Sequence, residues 1–510
     1  MSTSSASPSA SALSPSTREP EIPVVWALVP VISLLVLLLL VIVVMPLGLD
    51  WAAVGALATE AGFGADTLPK MPAKFTGSGH FPLLGAAAIA SVVAMRFGWK
   101  WKQIHDGMLH SIHLAMGAVL ILLVIGTLMA TWIASGIVPA LICWGLALMQ
   151  PSFFLPAACA VCSLVSLVTG SSWSTAGTVG VALIGVAQAM GIDPAITAGA
   201  IISGAYFGDK LSPMSDTTNL APAMAGSNLF AHIRHMMWTT GPSWILAMIA
   251  FTIIGLTLDA TNSSSSVAEI QDLLRAEFAP GLIHLAVPAL IVFLVSRRTP
   301  ALPTLALGAA LGGVLAVLQG RVPAEVLAFG LDGYVSQTGN PTVDELLSRG
   351  GMFSMHSTVF LILCAMVFGG VLERTSMLRV LAQRVLARAT STGSLIATTM
   401  LTSIGTNILA ADQYISIVVP GRMYAAEYRK RGLAPENLSR ALEDGGTITS
   451  ALIPWNVCGA FMAATLGVAT ADYAIYCFLN LVNPLIGILY GFTGWTIVRL
   501  TADRKLTRPN

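Results

Sequence analysis

The residues of this sequence that could do chemistry are a few acids and hydroxyls set among long uncharged stretches. Four polar side chains follow one another at steps of three, four and three residues, the spacing of one helical stripe: Asp209, Ser212, Asp216 and Asn219. Pro213 lies inside this stripe, and a proline there breaks or kinks a helix. A broken helix offers half-helix ends and backbone carbonyls to a cation, and the two carboxylates supply charge. The pattern predicts a cation site, although Ser-Pro-x-Ser-Asp is also turn chemistry, which stays open for Asp216.

A patch rich in hydroxyls precedes the stripe at 169–175, with glycine at 170 and 177. Irregular backbone at membrane depth must line a cavity or be buried in protein, because lipid cannot satisfy free amides and carbonyls. We therefore add Ser172 and Thr175 to the candidate cation ligands, together with Thr217 and Thr218 beside Asp216.

The second half of the chain holds a corresponding set of polar candidates: Asn407, Asp412, Glu443, Asp444 and Asn456. Asp412 follows the uncharged stretch 390–411 and has no basic residue within nine positions, so a local ion pair is hard to build. For Glu443 and Asp444 an ion pair with Arg440 is an equal alternative. We expect Asp209 and Asp412 to be the principal ion-binding carboxylates.

The elements that position these residues follow from composition. Of the 510 residues, 55% are hydrophobic and only 10% are charged, which a soluble fold could not accommodate. The net charge of +1 leaves no basic excess for nucleic acid. These numbers exclude a soluble enzyme and a nucleic-acid partner.

Uncharged runs long enough to span a bilayer recur along the chain, among them 22–49 and the 86 residues of 107–192. They predict an all-α polytopic membrane protein with ten to thirteen membrane segments, some of them broken or re-entrant. The expected organisation is a disordered cytoplasmic tail at 1–21, a membrane repeat at 22–258, an external loop at 259–278, a second repeat at 279–498 and a cytoplasmic tail at 499–510.

An internal repeat is visible at an offset of 241 residues, where six residues match without a gap: Gly191, Pro194, Ala200, Gly204, Leu211 and Pro213 with Gly432, Pro435, Ala441, Gly445, Leu452 and Pro454. Lys and Arg excess marks cytoplasmic loops. Placing both termini in the cytoplasm puts 18 of these residues inside and 5 outside. That orientation makes the halves inverted, which is a common plan of secondary transporters.

Three stretches resemble the NhaC-type sodium/proton antiporter family: 169–222, 411–424 and 437–462. The resemblance implies an inverted-repeat secondary transporter that exchanges cytoplasmic Na⁺ for external H⁺ across the cell membrane. Its acidic, hydroxyl and amide motif positions fall on the candidates named above, from Asp209 to Asn219 and from Asn407 to Asn456. One departure is Ser174, where the family pattern has glycine after the tryptophan.

In the expected mechanism, Na⁺ and H⁺ compete for the same buried carboxylates. A carboxylic acid taken out of water resists ionisation, so its site must hold a proton or a metal ion. The expected partners are lipid, Na⁺ and H⁺, with a homodimer as an open alternative and no cofactor.

Two other functions remain open. The family resemblance also covers Na⁺-coupled exchangers of small carboxylates or amino acids, of the malate/lactate type, for which Lys210 is the only obvious anion-docking residue. Lys210 could instead reach the interface or pair with a carboxylate of the second half. A remote alternative is an intramembrane aspartyl protease using Asp209 and Asp412, but the sequence before Asp209 has only one of the two glycines of the usual motif.

Overall fold

The computed structural model describes residues 20–41, 79–148, 150–258, 264–297 and 299–500. The regular structure of these ranges is helical, apart from one isolated bridge between Leu433 and Arg499. An all-helical fold is what the apolar sequence requires, because a helix satisfies its backbone polar groups internally. The predicted N-terminal tail and the last ten residues of the C-terminal tail lie outside the described residues, apart from residues 20 and 21 of the former.

The first half comprises α1 (Val24–Leu39), α2 (His80–Arg96), α3 (Trp101–Ala134), α4 (Ile137–Leu148), α5 (Pro151–Thr169), α6 (Ser172–Thr175), α7 (Val181–Ala189), α8 (Pro194–Leu211), α9 (Asp216–Ala225) and α10 (Leu229–Thr257). A π-helical turn, Ala176–Gly180, joins α6 to α7 without a break. The predicted connection at 259–278 contains α11 (Ser264–Phe278), and the second half begins with α12 (Ile283–Ser296), α13 (Ala301–Leu318), α14 (Pro323–Asp332) and α15 (Pro341–Leu347).

The second half continues with α16 (His356–Arg374), α17 (Met377–Leu386), α18 (Thr392–Ala410), α19 (Gln413–Lys430), α20 (Pro435–Leu442), α21 (Ile448–Ser450), α22 (Val457–Leu466), α23 (Thr470–Tyr473) and α24 (Phe478–Thr493). A second π-helical turn, Glu443–Thr447, joins α20 to α21.

The element order of the two halves agrees at the offset of 241 residues. When 241 is added to its residue numbers, α5 begins and ends at the same residues as α18, and α9 does so with α22. The continuous segment from α6 to α7 corresponds in the same way to α19. Three left-handed positions correspond as well: Gly170 with Ala411, Gly191 with Gly432, and Gly226 with Gly467. This correspondence supports an internal repeat. Its inversion across the membrane stays a prediction.

Six of the described helices are long and apolar enough to cross a membrane, or eight if each of two strongly bent helix pairs is counted as one span. Four shorter apolar helices accompany them, including α1 and α24. The sequence predicted ten to thirteen segments because it counts uncharged runs, and several of these runs form short or interrupted helices. The chain is thus a polytopic helical membrane protein, as predicted.

One segment differs from the sequence expectation. Residues 264–278, predicted as part of an external loop, form helix α11. Ile270 and Leu274 are buried in this helix, whereas Asp272 and Arg275 are exposed and form a 3.7 Å ion pair. This segment therefore forms an amphipathic helix, because its apolar residues lie on one face that is buried against the protein.

Helix α8, which carries Asp209, packs closely along α5. The backbone of α5 lies where a side chain at Gly204 or Gly208 would have to be: a Cβ at the former would meet the Cys159 carbonyl, and one at the latter would meet the Ser163 carbonyl. Small residues permit this close approach of two helices. The packing fixes the end of α8 beside the end of α5.

Candidate ion-binding site

Four helical segments begin around one point between the two halves of the molecule. They are α6 and α9 of the first half and α19 and α22 of the second, which begin at Ser172, Asp216, Gln413 and Val457. Each start is preceded by a residue whose side chain accepts a backbone N–H: Ser171, Ser215, Asp412 and Asn456. These are favoured N-cap residue types, and they explain why helices start again after each break.

A cavity of about 270 Å³ lies where these segments meet. Three carboxylates line it: Asp209 and Asp216 from the first half and Asp412 from the second. Ser172 and Thr217 line it as well, opposite small residues of α3 such as Gly117. The structure therefore brings together five of the predicted ligands, including both principal carboxylates.

Asp209 lies in the last turn of α8 and is 8% exposed. Its Oδ2 accepts hydrogen bonds from the Ser172 hydroxyl at 2.7 Å and from the Ser172 backbone N–H at 3.3 Å. Thr218, across the break, donates from its hydroxyl to the Asp209 carbonyl at 3.1 Å. The carboxylate is thus held against the first turn of α6 and faces the cavity.

Asp412 is 4% exposed and has a second task, because it is the N-cap of α19. Its Oδ1 accepts the Ile415 backbone N–H at 2.9 Å. The residue before it, Ala411, has a left-handed backbone with φ of 58°. Asp412 therefore commits one oxygen to the helix start while lining the cavity.

Asp216 has a different setting from the other two acids. It is the first residue of α9 and is exposed, so the cavity reaches the protein surface beside it. A carboxylate in the first turn is favourable at the positive end of the helix dipole. The turn at 212–215 and a position in the cavity wall, the two alternatives that the sequence allows for Asp216, occur together here.

Three predicted ligands of the first half lie near the cavity without lining it, and each makes hydrogen bonds that shape the break. Thr175 donates to the Ser171 carbonyl at 2.9 Å. The Thr218 hydroxyl also lies 3.1 Å from the Lys210 carbonyl. Asn219 donates to the carbonyls of Pro213 and Ser215 at 2.9 and 2.7 Å.

Asn407 and Asn456 form a buried amide pair at the break of the second half. Asn456 donates from Nδ2 to Oδ1 of Asn407 at 3.1 Å, and its own Oδ1 accepts the Cys458 backbone N–H at 3.0 Å. Asn407 donates to the Gly446 carbonyl and, at 3.1 Å, to the Thr449 hydroxyl. Both side-chain carbonyls are thus occupied in this structure.

Glu443 and Asp444 lie in the second π-helical turn, away from the cavity, and both are fully buried. Asp444 pairs with Lys210 across the two halves, with 2.5 Å between Oδ1 and Nζ. Neither carboxylate forms an ion pair with Arg440 within the described part of the chain, and neither oxygen of Glu443 meets a hydrogen-bond partner there. The pairing of Lys210 across the interface, one of two alternatives from sequence, is the one observed.

Sequence reasoning missed several residues at this cavity. Ser171, Ser215, Gln413 and Tyr414 line it, and the first two are N-caps. A Ser or Asp directly before a helix start was the available signal for such positions. The contribution of Tyr414 follows from the meeting of the two halves, which the linear sequence does not show.

The arrangement can bind a cation. Three carboxylates line the cavity, and no Lys, Arg or His is among the described residues that do so. Carboxylate and hydroxyl oxygens are ligands that hard cations prefer. A site of this kind gains by holding either a metal ion or protons in place of unbalanced negative charge.

Comparison with known proteins also indicates a cation transporter. Residues 204–495 match the model of the Na⁺/H⁺ antiporter family. The chain is 39% identical over 417 residues to the Na⁺/H⁺ antiporter NhaC of Alkalihalophilus pseudofirmus, covering 81% of this chain and 90% of that protein. The resemblance seen in the sequence motifs is thereby confirmed.

Other relatives have similar sequence identity to this chain but different names. The malate-2H⁺/Na⁺-lactate antiporter of Bacillus subtilis is 36% identical, covering 80% of this chain and 87% of that protein. The arginine/ornithine antiporter ArcD of Halobacterium salinarum is 37% identical, covering 82% and 87%. All three relatives are antiporters, whereas the ions and solutes in their names differ.

Proposed function

This chain belongs to the Na⁺/H⁺ antiporter family, and we propose that it exchanges Na⁺ for H⁺ at the cavity lined by Asp209, Asp216 and Asp412. It is a multi-pass membrane transporter rather than an enzyme. The observation that carries the proposal is the meeting of acids from both halves in one cavity without a basic side chain among its described lining.

Exchange follows from competition for the same oxygens. Asp209 and Asp412 are almost withdrawn from water, and a withdrawn carboxylate is costly to leave charged and unpaired. Na⁺ and protons both remove that cost, so the arrival of one favours release of the other. The requirement that the site be occupied couples the two fluxes when it is exposed to one side and then the other.

The charge pattern of the loops places both termini in the cytoplasm. The family membership implies that the transporter lies in the cell membrane and exports cytoplasmic Na⁺ against entering H⁺. The two halves, related by the 241-residue offset, move relative to each other to expose the cavity alternately.

A second candidate, exchange of an amino acid or small carboxylate with Na⁺, has one observation in its favour. The cavity of about 270 Å³ is larger than a bare Na⁺ needs, since a water molecule takes roughly 30 Å³ of liquid. Its three acids favour the ammonium group of an amino acid over a free carboxylate. Lys210, the sequence candidate for docking a carboxylate, is fully buried and already paired with Asp444.

The test is proton flux in everted vesicles or proteoliposomes that contain the full chain. We expect NaCl to discharge an imposed proton gradient, with Li⁺ and K⁺ run in parallel to define selectivity. Arginine, ornithine, malate and lactate are tested with and without Na⁺. A response to one of these solutes, together with no response to Na⁺ alone, would replace the first proposal by the second.

A further inference from the structure

The ion pair between Lys210 and Asp444 joins the two broken-helix regions of the molecule. Lys210 lies in the last turn of α8, directly before the first break, and Asp444 lies in the π-helical turn between α20 and α21. Both side chains are 0% exposed, and Nζ lies 2.5 Å from Oδ1. The Tyr206 hydroxyl and Ser450 Oγ, 3.2 Å apart, connect the same two segments.

Neutral groups from two further helices complete the pair. Asn483 of α24 donates to Asp444 Oδ1 at 2.7 Å, and its own Oδ1 accepts from Lys210 at 3.3 Å. Thr239 of α10 donates to the same Asp444 oxygen at 3.2 Å. Removing one partner of a buried, hydrogen-bonded pair leaves an uncompensated charge, so this network holds its four helical segments in one arrangement.

The turn that carries Lys210 also carries Asp209. Asp209 is bound on one side by the start of α6, through Ser172, and Lys210 is bound on the other side by the second half. Thr218 lies 3.1 Å from the backbone carbonyls of both residues. A single helical turn is therefore fixed from both halves of the protein, and one of its side chains lines the cavity.

We propose that Lys210 is a positioning residue for exchange, which holds the last turn of α8 through Asp444 so that Asp209 keeps its place in the cavity. The inference rests on the proposed function and extends it to a residue outside the cavity. Lys210 touches neither ion; it acts through Asp209 and links the geometry of the site to the relative position of the two halves.

The test replaces the ion pair by neutral side chains of similar shape, K210M/D444N, in the full chain. Each single variant strands a buried charge and should lose thermal stability, whereas the double variant should recover it because neutral replacement of a buried pair is often tolerated. We expect the recovered double variant to show a KM for Na⁺ raised about tenfold or more, with kcat changed less, because Asp209 is no longer held in place.

The matched control is the exposed pair Arg275–Asp272, neutralised as R275Q/D272N, which should leave the KM for Na⁺ unchanged. A double variant with recovered stability and a wild-type KM for Na⁺ would overturn the inference, since the pair would then serve folding alone. Should the double variant not accumulate, N483A decides in its place, because it weakens the network without stranding a charge. A raised KM supports the positioning role, and an unchanged KM contradicts it.

Failure of this inference is distinguishable from failure of the proposed function. If wild-type protein shows no Na⁺-driven proton flux, the proposed function itself fails. If wild-type protein exchanges Na⁺ for H⁺ and the variants match it in KM, only the role of Lys210 fails.

Discussion

The hydroxyl of Ser172 donates a hydrogen bond of 2.7 Å to the Asp209 carboxylate. A hydrogen bond to a charged group contributes roughly 1.5–3 kcal/mol. For Ser172→Ala we expect the KM for Na⁺ in proton-flux assays to rise at least tenfold, because the cavity loses a ligand and Asp209 loses a donor. Ser91→Ala is the matched control, since among the described residues that buried hydroxyl bonds only within its own helix, to the Ala87 carbonyl. Equal KM values for the two variants would remove Ser172 from the site.

Asp412 combines charge with helix capping, and these two contributions can be separated. Asn is as good an N-cap as Asp, so Asp412→Asn keeps the hydrogen bond to Ile415 while removing the charge. We expect Na⁺-driven proton flux to fall to background, with the melting temperature in detergent close to that of the wild type. Asp193→Asn, at the exposed cap of α8, is the control and should exchange normally. Normal flux in Asp412→Asn would show that this residue acts only as a cap.

At the scale of elements, the two helix ends beside the cavity have the same backbone but different residues. Gly170 and Ala411 both adopt left-handed φ, 68° and 58°. A Cβ at Gly170 would lie 2.7 Å from Met214 Cβ and 3.0 Å from the Ser215 backbone nitrogen, inside the break between α8 and α9. The glycine therefore lets the end of α5 pack against this break.

This comparison gives opposite predictions for two substitutions. Gly170→Ala should displace the start of α6 from Asp209, lowering both thermal stability and Na⁺ affinity. Ala411→Gly should be tolerated or stabilise the fold by about 1 kcal/mol, because a left-handed alanine carries roughly that strain. Thermal unfolding in detergent and the KM for Na⁺ measure both effects. A Gly170→Ala protein with unchanged stability and KM would show that the close packing is not required.

The breaks could be predicted from sequence, whereas the direction of each polar group could not. Pro213 and the glycines of 169–177 mark interruptions by local backbone rules. The side chain of Asn407 could face an ion, but in the structure it accepts a hydrogen bond from Asn456. This choice depends on how the second break packs, which the residues next to Asn407 in the sequence do not determine. The polar stripe broken by Pro213 predicts Asp209, and the uncharged run before Asp412 predicts that residue. Both side chains line the cavity.

At the scale of the whole molecule, the repeat offset predicts opposite orientation for corresponding connections. The link between α7 and α8 corresponds to the link between α19 and α20, and exposed side chains near them are Asp193 and Lys430. In an inverted arrangement, cysteines introduced at 193 and 430 should react with impermeant reagents from opposite sides of the membrane. Background labelling is reduced by replacing Cys364, the least buried native cysteine among those described. Labelling of both sites from one side would contradict inversion.

Composition alone was enough to predict a helical membrane protein, because so apolar a chain has few other stable forms. The contact between Lys210 and Asp444, 234 residues apart, needed the three-dimensional structure, since many pairings satisfy the same charge balance. The meeting of four helix starts in one cavity likewise follows from the packing of the two halves.

The central claim is that Na⁺ and H⁺ compete for Asp209, and Asp209→Asn tests it most directly. The measurement is Na⁺-driven proton flux in proteoliposomes with matched amounts of wild-type and variant protein, both shown to be folded by thermal unfolding. The account predicts a folded Asp209→Asn protein with flux at background, because asparagine keeps the shape but has neither charge nor exchangeable acid proton. A folded variant that exchanges Na⁺ for H⁺ at the wild-type rate would contradict it.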